Sequence, residues 1–491
     1  MNRRIVIVGG GLGGMSAAIT LAKTHDVTLV EKNDHLGGKL NEEKRDGFTF
    51  DLGPSILTMP HIFEKLFTMH DKRMEDYVEI EPVRPHWRNF FEDGTIIDLP
   101  ASLDKVIENA DIREEDMGGL HSFYRYAEKL YQFSNKVYFE NESERKLHTL
   151  KHYNPFKIIP HSDMSHTMDE GVRKYIDNPY LVEILNFFIK YVGSSPFDAP
   201  AILNLLPYIQ WKFDLWSVKD GMHNLAKGME RLMEEVGVTI VKNQHIKSVE
   251  KKDGRIVRLY TDDAEYETDQ VISNMEVIPF YEEVTKEPDE RIKPYREKYP
   301  PACSGFALHL GVGTQYEQLA HHNFFYAKEQ RAHFDSIFKH HTLSDDPTIY
   351  LVAPMKSDPS LGPQGSEIIK ILPHIPVIDD EKPFTEEEYS AFKTHVLDKL
   401  ERMGLKDLRK HIVTETLWTP ETIREMYRSN KGSIYGVLSD KKINLGFKTP
   451  KQSAFYENLL FVGGSVNPGG GMPMAVLSGQ QAAGRLMKGE S

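Results

Sequence analysis

Apolar positions along this chain alternate between two periods, and the change of period marks the elements. Residues 5 to 8, IVIV, form an unbroken apolar run that ends in GGGLGG, and MSAAITLAK follows with helical composition. A short continuous apolar run bounded by turn residues predicts a buried parallel strand. VTLV, just before Glu31, predicts a second. From about Asn224, the spacing of Leu225, Met229, Leu232 and Met233 puts four apolar side chains on one helical face, and the strand VTIV follows. Asp253-Gly254 is a hairpin signal, VISN ends a strand at Asn274, and ENLLFVGG reads as a strand returning to the same sheet. HWRNFFEDGTIIDL, residues 86 to 99, predicts another Asp-Gly hairpin, and SGFALHLGV and TIYLVAP add strand-like runs. TEEEYSAFKTHVLDKLERMG opens on a capping box, Thr385 and Glu388. It carries Phe392, Val396, Leu400 and Met403 on one face before Gly404. Residues 105 to 217 read mostly as helix.

A chain of 491 residues exceeds the size served by one hydrophobic core, so two or three domains are expected. Strand and glycine signals of one kind recur at both ends and in the middle. They predict an α/β organisation with a discontinuous Rossmann-like nucleotide-binding domain from residues 1–75, 219–285 and 450–491. A mixed-sheet substrate domain is expected from 76–104 and 286–449, and a largely helical, membrane-facing region from 105–218. The apolar tract from Tyr180 to Trp216 has two readings, a core helix pair or a surface that dips into lipid. Its densest part, APAILNLLPYIQW, has two prolines and is shorter than the roughly 18 residues a spanning helix needs.

Composition is ordinary for a folded protein, and a net charge of −13 argues against an extended nucleic-acid surface. The only cysteine, Cys303, excludes an internal disulfide, suits a reducing cytoplasm and is expected as a small buried side chain. Glycines break the N-terminal apolar run too early for a signal peptide. The pairs His321-His322 and His340-His341 lack HExxH or CxxC companions and are expected as core or surface histidines rather than metal ligands.

The chemistry concentrates in glycine-rich turns. Gly9, Gly11 and Gly14 follow the first strand in the dinucleotide pattern of tight turn, close backbone approach to a pyrophosphate and close helix–strand contact. Glu31, about twenty residues on, is placed to accept from ribose hydroxyls. Gly37 and Gly38 with Lys39 suggest a cofactor lying extended over the domain. FVGGSVNPGGGMPM brings Gly463 and Gly464 off the returning strand, then Met472 and Pro473 at a helix start. That helix N-terminus would aim its positive end at a ring accepting hydride. With these elements the chain resembles the flavin-dependent amine oxidase and phytoene desaturase superfamily. The resemblance implies FAD, and implies backbone contact to its adenine from the strand containing Ile246.

FDLGPSILTMPHIFEKLF, FIKYVGSSPFDAPA, ISNMEVIP, LAHHNFF, YRSNKGSIYGV and VGGSVNPGGGMPM are similar to the bacterial diapocarotenoid oxygenases. That resemblance runs along essentially the whole chain. It implies oxidation of a terminal methyl group of an acyclic C30 carotenoid, such as 4,4'-diaponeurosporene or diapolycopene, to an aldehyde. It also implies O2 or another acceptor to reoxidise the flavin and peripheral attachment to the cell membrane, with the 180–216 tract as candidate surface. Related desaturases usually read Thr-His-Pro-Gly where this chain has Val466-Asn467-Pro468-Gly469, which favours oxygenation over desaturation. A non-catalytic lipid-chain binder on the same fold is the alternative from another class. No general base is evident. Asn467, Tyr435 and Arg428 are catalytic candidates by motif position. Asn467 has two readings, holding a water, peroxide or alcohol near the reacting carbon, or capping the turn before Pro468.

Overall fold

The computed structural model describes residues 3–103, 112–136, 163 and 165–489. A five-stranded, all-parallel sheet runs in the order Leu459–Phe461, Gln270–Ser273, Arg4–Val8, Asp26–Val30, Thr239–Val241. Three distant stretches of sequence thus build one sheet, with the first strand at its centre. Ile5 and Ile7 point to one face and Val6 and Val8 to the other, and all four are buried. A sheet covered on both faces needs such an unbroken apolar run.

The first face is covered by the helices Leu12–Leu21, Asn224–Glu235 and Met472–Met487. The first and last of these touch closely because their contact residues are small. A β-carbon at Gly479 would overlap the carbonyl oxygen of Gly13, and Ser16 Oγ donates to the Val476 carbonyl at 2.7 Å. Leu225, Met229, Leu232 and Met233 are all fully buried, as their spacing requires. The other face carries the antiparallel sheet Ser248–Lys252, Arg255–Tyr260, Glu265–Glu267. Its hairpin turns at Asp253 (φ 49°) and Gly254 (φ 73°), the two left-handed residues a tight two-residue turn demands.

The second sheet is mixed and has eight strands. Its main path is Ile412–Trp418, Ala307–Val312, Glu367–Ile375, Ile349–Val352, His322–Phe325, Trp87–Phe90, Ile96–Leu99, with Ser304–Gly305 beside Glu367–Ile375. Only the pair His322–Phe325 and Trp87–Phe90 is parallel. Period-2 alternation splits its side chains cleanly. Phe325, Leu351 and Ile371 pack against Phe392, Val396 and Leu400 of the helix Glu386–Arg402, whose Thr385–Glu388 capping box forms. Phe324, Tyr350 and Leu372 point the other way, into the principal core.

The helices Glu114–Ser134, Pro179–Phe187 and Leu205–Phe213 close that core from the far side. Leu181, Ile184, Leu185, Phe187, Phe188 and Ile189 are each no more than 2% exposed. The first part of the tract from Tyr180 to Trp216 is therefore core, while Ile202, Leu203, Leu206, Trp211 and Phe213 further along it are only half-buried. Among the described residues no helix is long and apolar enough to cross a membrane.

Candidate cofactor and substrate site

One cavity begins at the carboxyl ends of the parallel strands and continues between the two sheets. Its nucleotide end is backbone. The first strand ends at Gly9 (φ 93°), and a β-carbon at Gly11 would overlap the side-chain amide of Asn274. Gly14 does not line the cavity. A β-carbon there would overlap the Gly9 carbonyl oxygen, so its role is close helix–strand packing, and its N–H donates to Asn274 Oδ1 at 3.0 Å. The N–H groups of Leu12 and Gly13 face the cavity end without a protein acceptor among the described residues. Glu31 is 5% exposed, and its oxygens accept from the N–H of Gly10 (2.6 Å) and Asn33 (2.8 Å). Each oxygen retains capacity for a hydroxyl.

Gly37 (φ 106°) and Gly38 (φ 60°) bring a second loop against Gly11, and a β-carbon at Gly38 would stand 3.1 Å from the Gly11 Cα. Lys39 reaches across the cavity, donating from Nζ to the Ser433 carbonyl at 2.9 Å and pairing with Glu276 at 3.4 Å. Ile246 is buried in the wall behind Glu31.

The opposite wall is the C-terminal loop. Gly463 (φ 93°) donates its N–H to Ser478 Oγ at 2.8 Å, and a β-carbon at Gly13 would stand 2.7 Å from the Gly463 nitrogen. Gly464 and Met472 also line the cavity. The last helix begins at Met472 with no side-chain cap, and Pro473 at its second position has no N–H to satisfy. Its first turn opens on the cavity.

The three catalytic candidates separate. Asn467 lines the cavity, but its Oδ1 accepts from the Lys448 N–H at 3.1 Å and its Nδ2 donates to the Lys448 carbonyl at 3.2 Å. Both polar ends of the amide thus tie the C-terminal loop to the backbone at residue 448. Tyr435 is buried between Gly193 and Gly470 of the C-terminal loop, and its hydroxyl meets His374 Nε2 at 3.2 Å. Arg428 sits at φ 53° after the helix Pro420–Tyr427, 3.8 Å from Glu283. Its charge acts on Lys32 and His245, which places it toward the Glu31 end of the cavity. The left-handed turn at the helix end carries it there.

Several lining groups were missed. Lys370 points from the mixed sheet into the cavity wall, donating to the Gly53 carbonyl and to Ser55 Oγ at 3.3 Å, and burial pulls its pKa down to about 8. Lys190 and Tyr191 line the cavity with Tyr350 from the mixed sheet. Behind them runs a polar chain. The Tyr191 hydroxyl donates to Gln210 Oε1 (2.7 Å), Gln210 Nε2 meets His86 Nδ1 (3.3 Å), and His86 Nε2 meets Asp214 (2.6 Å), itself bound by Arg84. One signal was available: a lysine inside the apolar run FFIKYV cannot be buried without a reason. The other partners come from distant sequence.

The arrangement fits a flavin dinucleotide. Glycines stand wherever a side chain would fill the cradle, two helix N-termini face it, and a buried carboxylate lies at the ribose position. The model of the flavin containing amine oxidoreductase family matches residues 12–487. The chain is 54% identical over 492 residues to the 4,4'-diapolycopene oxygenase of Methylomonas sp, covering 99% of this chain and 98% of that one. It is 47% identical over 489 residues to the 4,4'-diaponeurosporene oxygenase of Staphylococcus aureus (strain USA300), with the same coverage. Among solved structures, putrescine oxidase bound to putrescine matches with a TM-score of 0.65 at 13% identity, covering 99% of each chain. An oxidoreductase from Methanosarcina mazei matches at 0.64 and 14%, covering 99% of this chain and 100% of that one. These last two speak to fold alone. The cofactor is FAD, and with backbone, cradle and family model in agreement, the chain belongs to the flavin-containing amine oxidoreductase family.

Proposed function

We propose that this protein is an FAD-dependent carotenoid oxygenase that oxidises a terminal methyl group of an acyclic C30 diapocarotenoid, 4,4'-diaponeurosporene or diapolycopene, to an aldehyde. The observation that carries the reading is the single cavity. It joins a dinucleotide cradle to a passage lined by Ile202, Leu203, Leu206 and Leu445, the right walls for an unsubstituted polyene. The similarity to two diapocarotenoid oxygenases along nearly the whole chain supports the same substrate class.

Gly9, Gly11, Glu31, Gly37, Gly38, Ile246, Gly463, Gly464 and Met472 would hold the cofactor, with Gly14 keeping helix and strand close and Lys39 tying the loop over it. FAD, when bound, would accept hydride twice, once from the allylic methyl and once from the resulting alcohol, while one water would supply the oxygen and release two protons, and O2 or another acceptor would reoxidise the flavin after each transfer. The N-terminus of Met472–Met487 favours negative charge developing near it. The apolar passage keeps bulk water from the body of the polyene. Residues 1–75, 219–285 and 450–491 act in this reading as the cofactor domain, and 76–104 and 286–449 as the substrate domain.

Membrane attachment is part of the proposal. Leu445 is 54% exposed while also lining the cavity, and Ile443 beside it is 45% exposed, next to the exposed Lys442. A polyene gains little on passing from lipid to an apolar tunnel, so access governs its capture. A cavity mouth edged by apolar and basic side chains meets that need at a cytoplasmic membrane face. The deciding experiment supplies 4,4'-diaponeurosporene and, separately, dehydrosqualene to a producing host. Aldehyde from the first and no new double bonds in the second is the expected result. New double bonds without aldehyde make the protein a desaturase.

A further inference from the structure

Lys190 is held on the turn Phe188–Tyr191 that ends the helix Pro179–Phe187, and it is 4% exposed. Its Nζ lies over four aromatic rings, with centroids at 4.0 Å (Tyr350), 4.8 Å (Tyr191), 4.8 Å (Phe324) and 5.0 Å (Trp87). It makes no hydrogen bond among the described residues. The nearby hydroxyls are engaged elsewhere, that of Tyr191 with Gln210 at 2.7 Å and that of Tyr350 with His322 Nδ1 at 2.9 Å. The chain Gln210–His86–Asp214 fixes the Tyr191 ring as one wall of the cage. The amine therefore stands in an apolar cavity with its N–H groups unspent.

A methionine would fill the same space without that penalty, because buried polar groups are costly unless hydrogen-bonded. A hydrocarbon substrate offers the amine nothing. An oxygen atom on that substrate does. Lys190 also lies near His374, the partner of Tyr435 beside Gly470, so it stands at the end of the cavity where the C-terminal loop lies.

We infer that Lys190 recognises oxygen on the substrate, its Nζ donating a hydrogen bond to the hydroxyl or carbonyl at the oxidised end of the polyene, which makes it a specificity-determining residue for the alcohol and aldehyde over the hydrocarbon. The inference rests on the methyl-oxidation reading. Burial depresses the lysine's pKa well below its usual value, while the ring faces favour the cation. Nζ carries N–H donors in either protonation state. A grip on the alcohol retains the half-oxidised molecule for its second oxidation, and a purely desaturating enzyme has no use for it.

The test uses the FAD-loaded enzyme, with C30 hydrocarbon, terminal alcohol and terminal aldehyde of equal chain length titrated in detergent micelles and followed by visible absorption. The wild type should bind alcohol and aldehyde more tightly than hydrocarbon, and bound aldehyde should show a red-shifted band. Lys190→Met should keep hydrocarbon affinity and flavin content, lose affinity for alcohol and aldehyde on the order of tenfold, lose the band shift, and release alcohol during turnover. Equal affinity of the wild type for all three ligands overturns the inference without any variant, which covers a Lys190→Met that does not fold. So does a Lys190→Met that binds aldehyde like the wild type. Failure of the underlying reading looks different: the wild type then forms neither alcohol nor aldehyde from the hydrocarbon.

Discussion

Gly479 lies so close to Gly13 that a β-carbon at residue 479 would overlap the Gly13 carbonyl oxygen and stand 2.8 Å from the Ala17 nitrogen. The N-terminal and C-terminal helices of the cofactor sheet therefore meet backbone to backbone. Gly479→Ala should push the last helix and its Ser478 anchor on Gly463 outward. The expected cost is roughly 1–3 kcal/mol, read as a lower thermal midpoint with less FAD per chain. Gly118→Ala, where a β-carbon meets open space, is the control and should not destabilise.

Glu31 gives one carboxylate oxygen to Gly10 and one to Asn33. An amide has a single acceptor oxygen, so Glu31→Gln would face one of those N–H groups with its own NH2. Loss of charge-assisted bonds of this kind should weaken FAD binding by roughly ten- to a hundredfold. Fluorescence titration of the apoprotein with FAD measures it.

Asn467→Ala should leave the aldehyde yield near the wild type and cost stability by about 1 kcal/mol, since both polar ends of the amide serve the Lys448 backbone. Product analysis beside thermal unfolding checks this. Retained flavin and stability with aldehyde lost would return Asn467 to the reacting end.

Burial pushes three histidines down, His321 to about 4, His333 to about 3 and His374 to about 3. Each has a folded pKa below its unfolded value of about 6.5. Their contribution is therefore complete above pH 6.5 and drains as pH falls through the folded values, because the unfolded chain binds protons the folded one refuses. Each can add up to about 1.4 kcal/mol per pH unit in that window. Urea unfolding at pH 7, 6 and 5 should show a steep loss. His333→Leu, at a ring whose two nitrogens have no partner among the described residues, should make it shallower.

Leu445 lines the cavity and is exposed, and Ile443, two residues before it, is exposed too. Replacing both with glutamate should abolish co-sedimentation with anionic phospholipid vesicles while FAD content stays unchanged. Undiminished sedimentation would place the contact elsewhere.

Local pattern carried much of this architecture. IVIV, the Asn224 helix face, the Asp253-Gly254 hairpin and the Thr385 capping box each depend on neighbours in sequence, and each forms as read. The glycine turns were legible because a missing side chain is itself a signal. The tract from Tyr180 to Trp216 was ambiguous for a physical reason: buried and lipid-facing helices have the same composition. Motif position could not say which end of a long cavity the left-handed turn at Arg428 faces. The cage around Lys190 draws on residues 87, 191, 324 and 350, and no window of sequence contains such a juxtaposition.

The strand order of the parallel sheet has a consequence for biosynthesis. Leu459–Phe461 and the helix after it are translated long after the four strands they complete. Until they emerge from the ribosome, Gln270–Ser273 is an unpaired apolar edge, and the groove around Gly13 and Ala17 has no helix to fill it. Gly463, Gly464 and Met472, which line the cofactor cavity, are likewise among the last residues made. A chain stopped short of residue 459 would leave the Gln270–Ser273 edge unpaired.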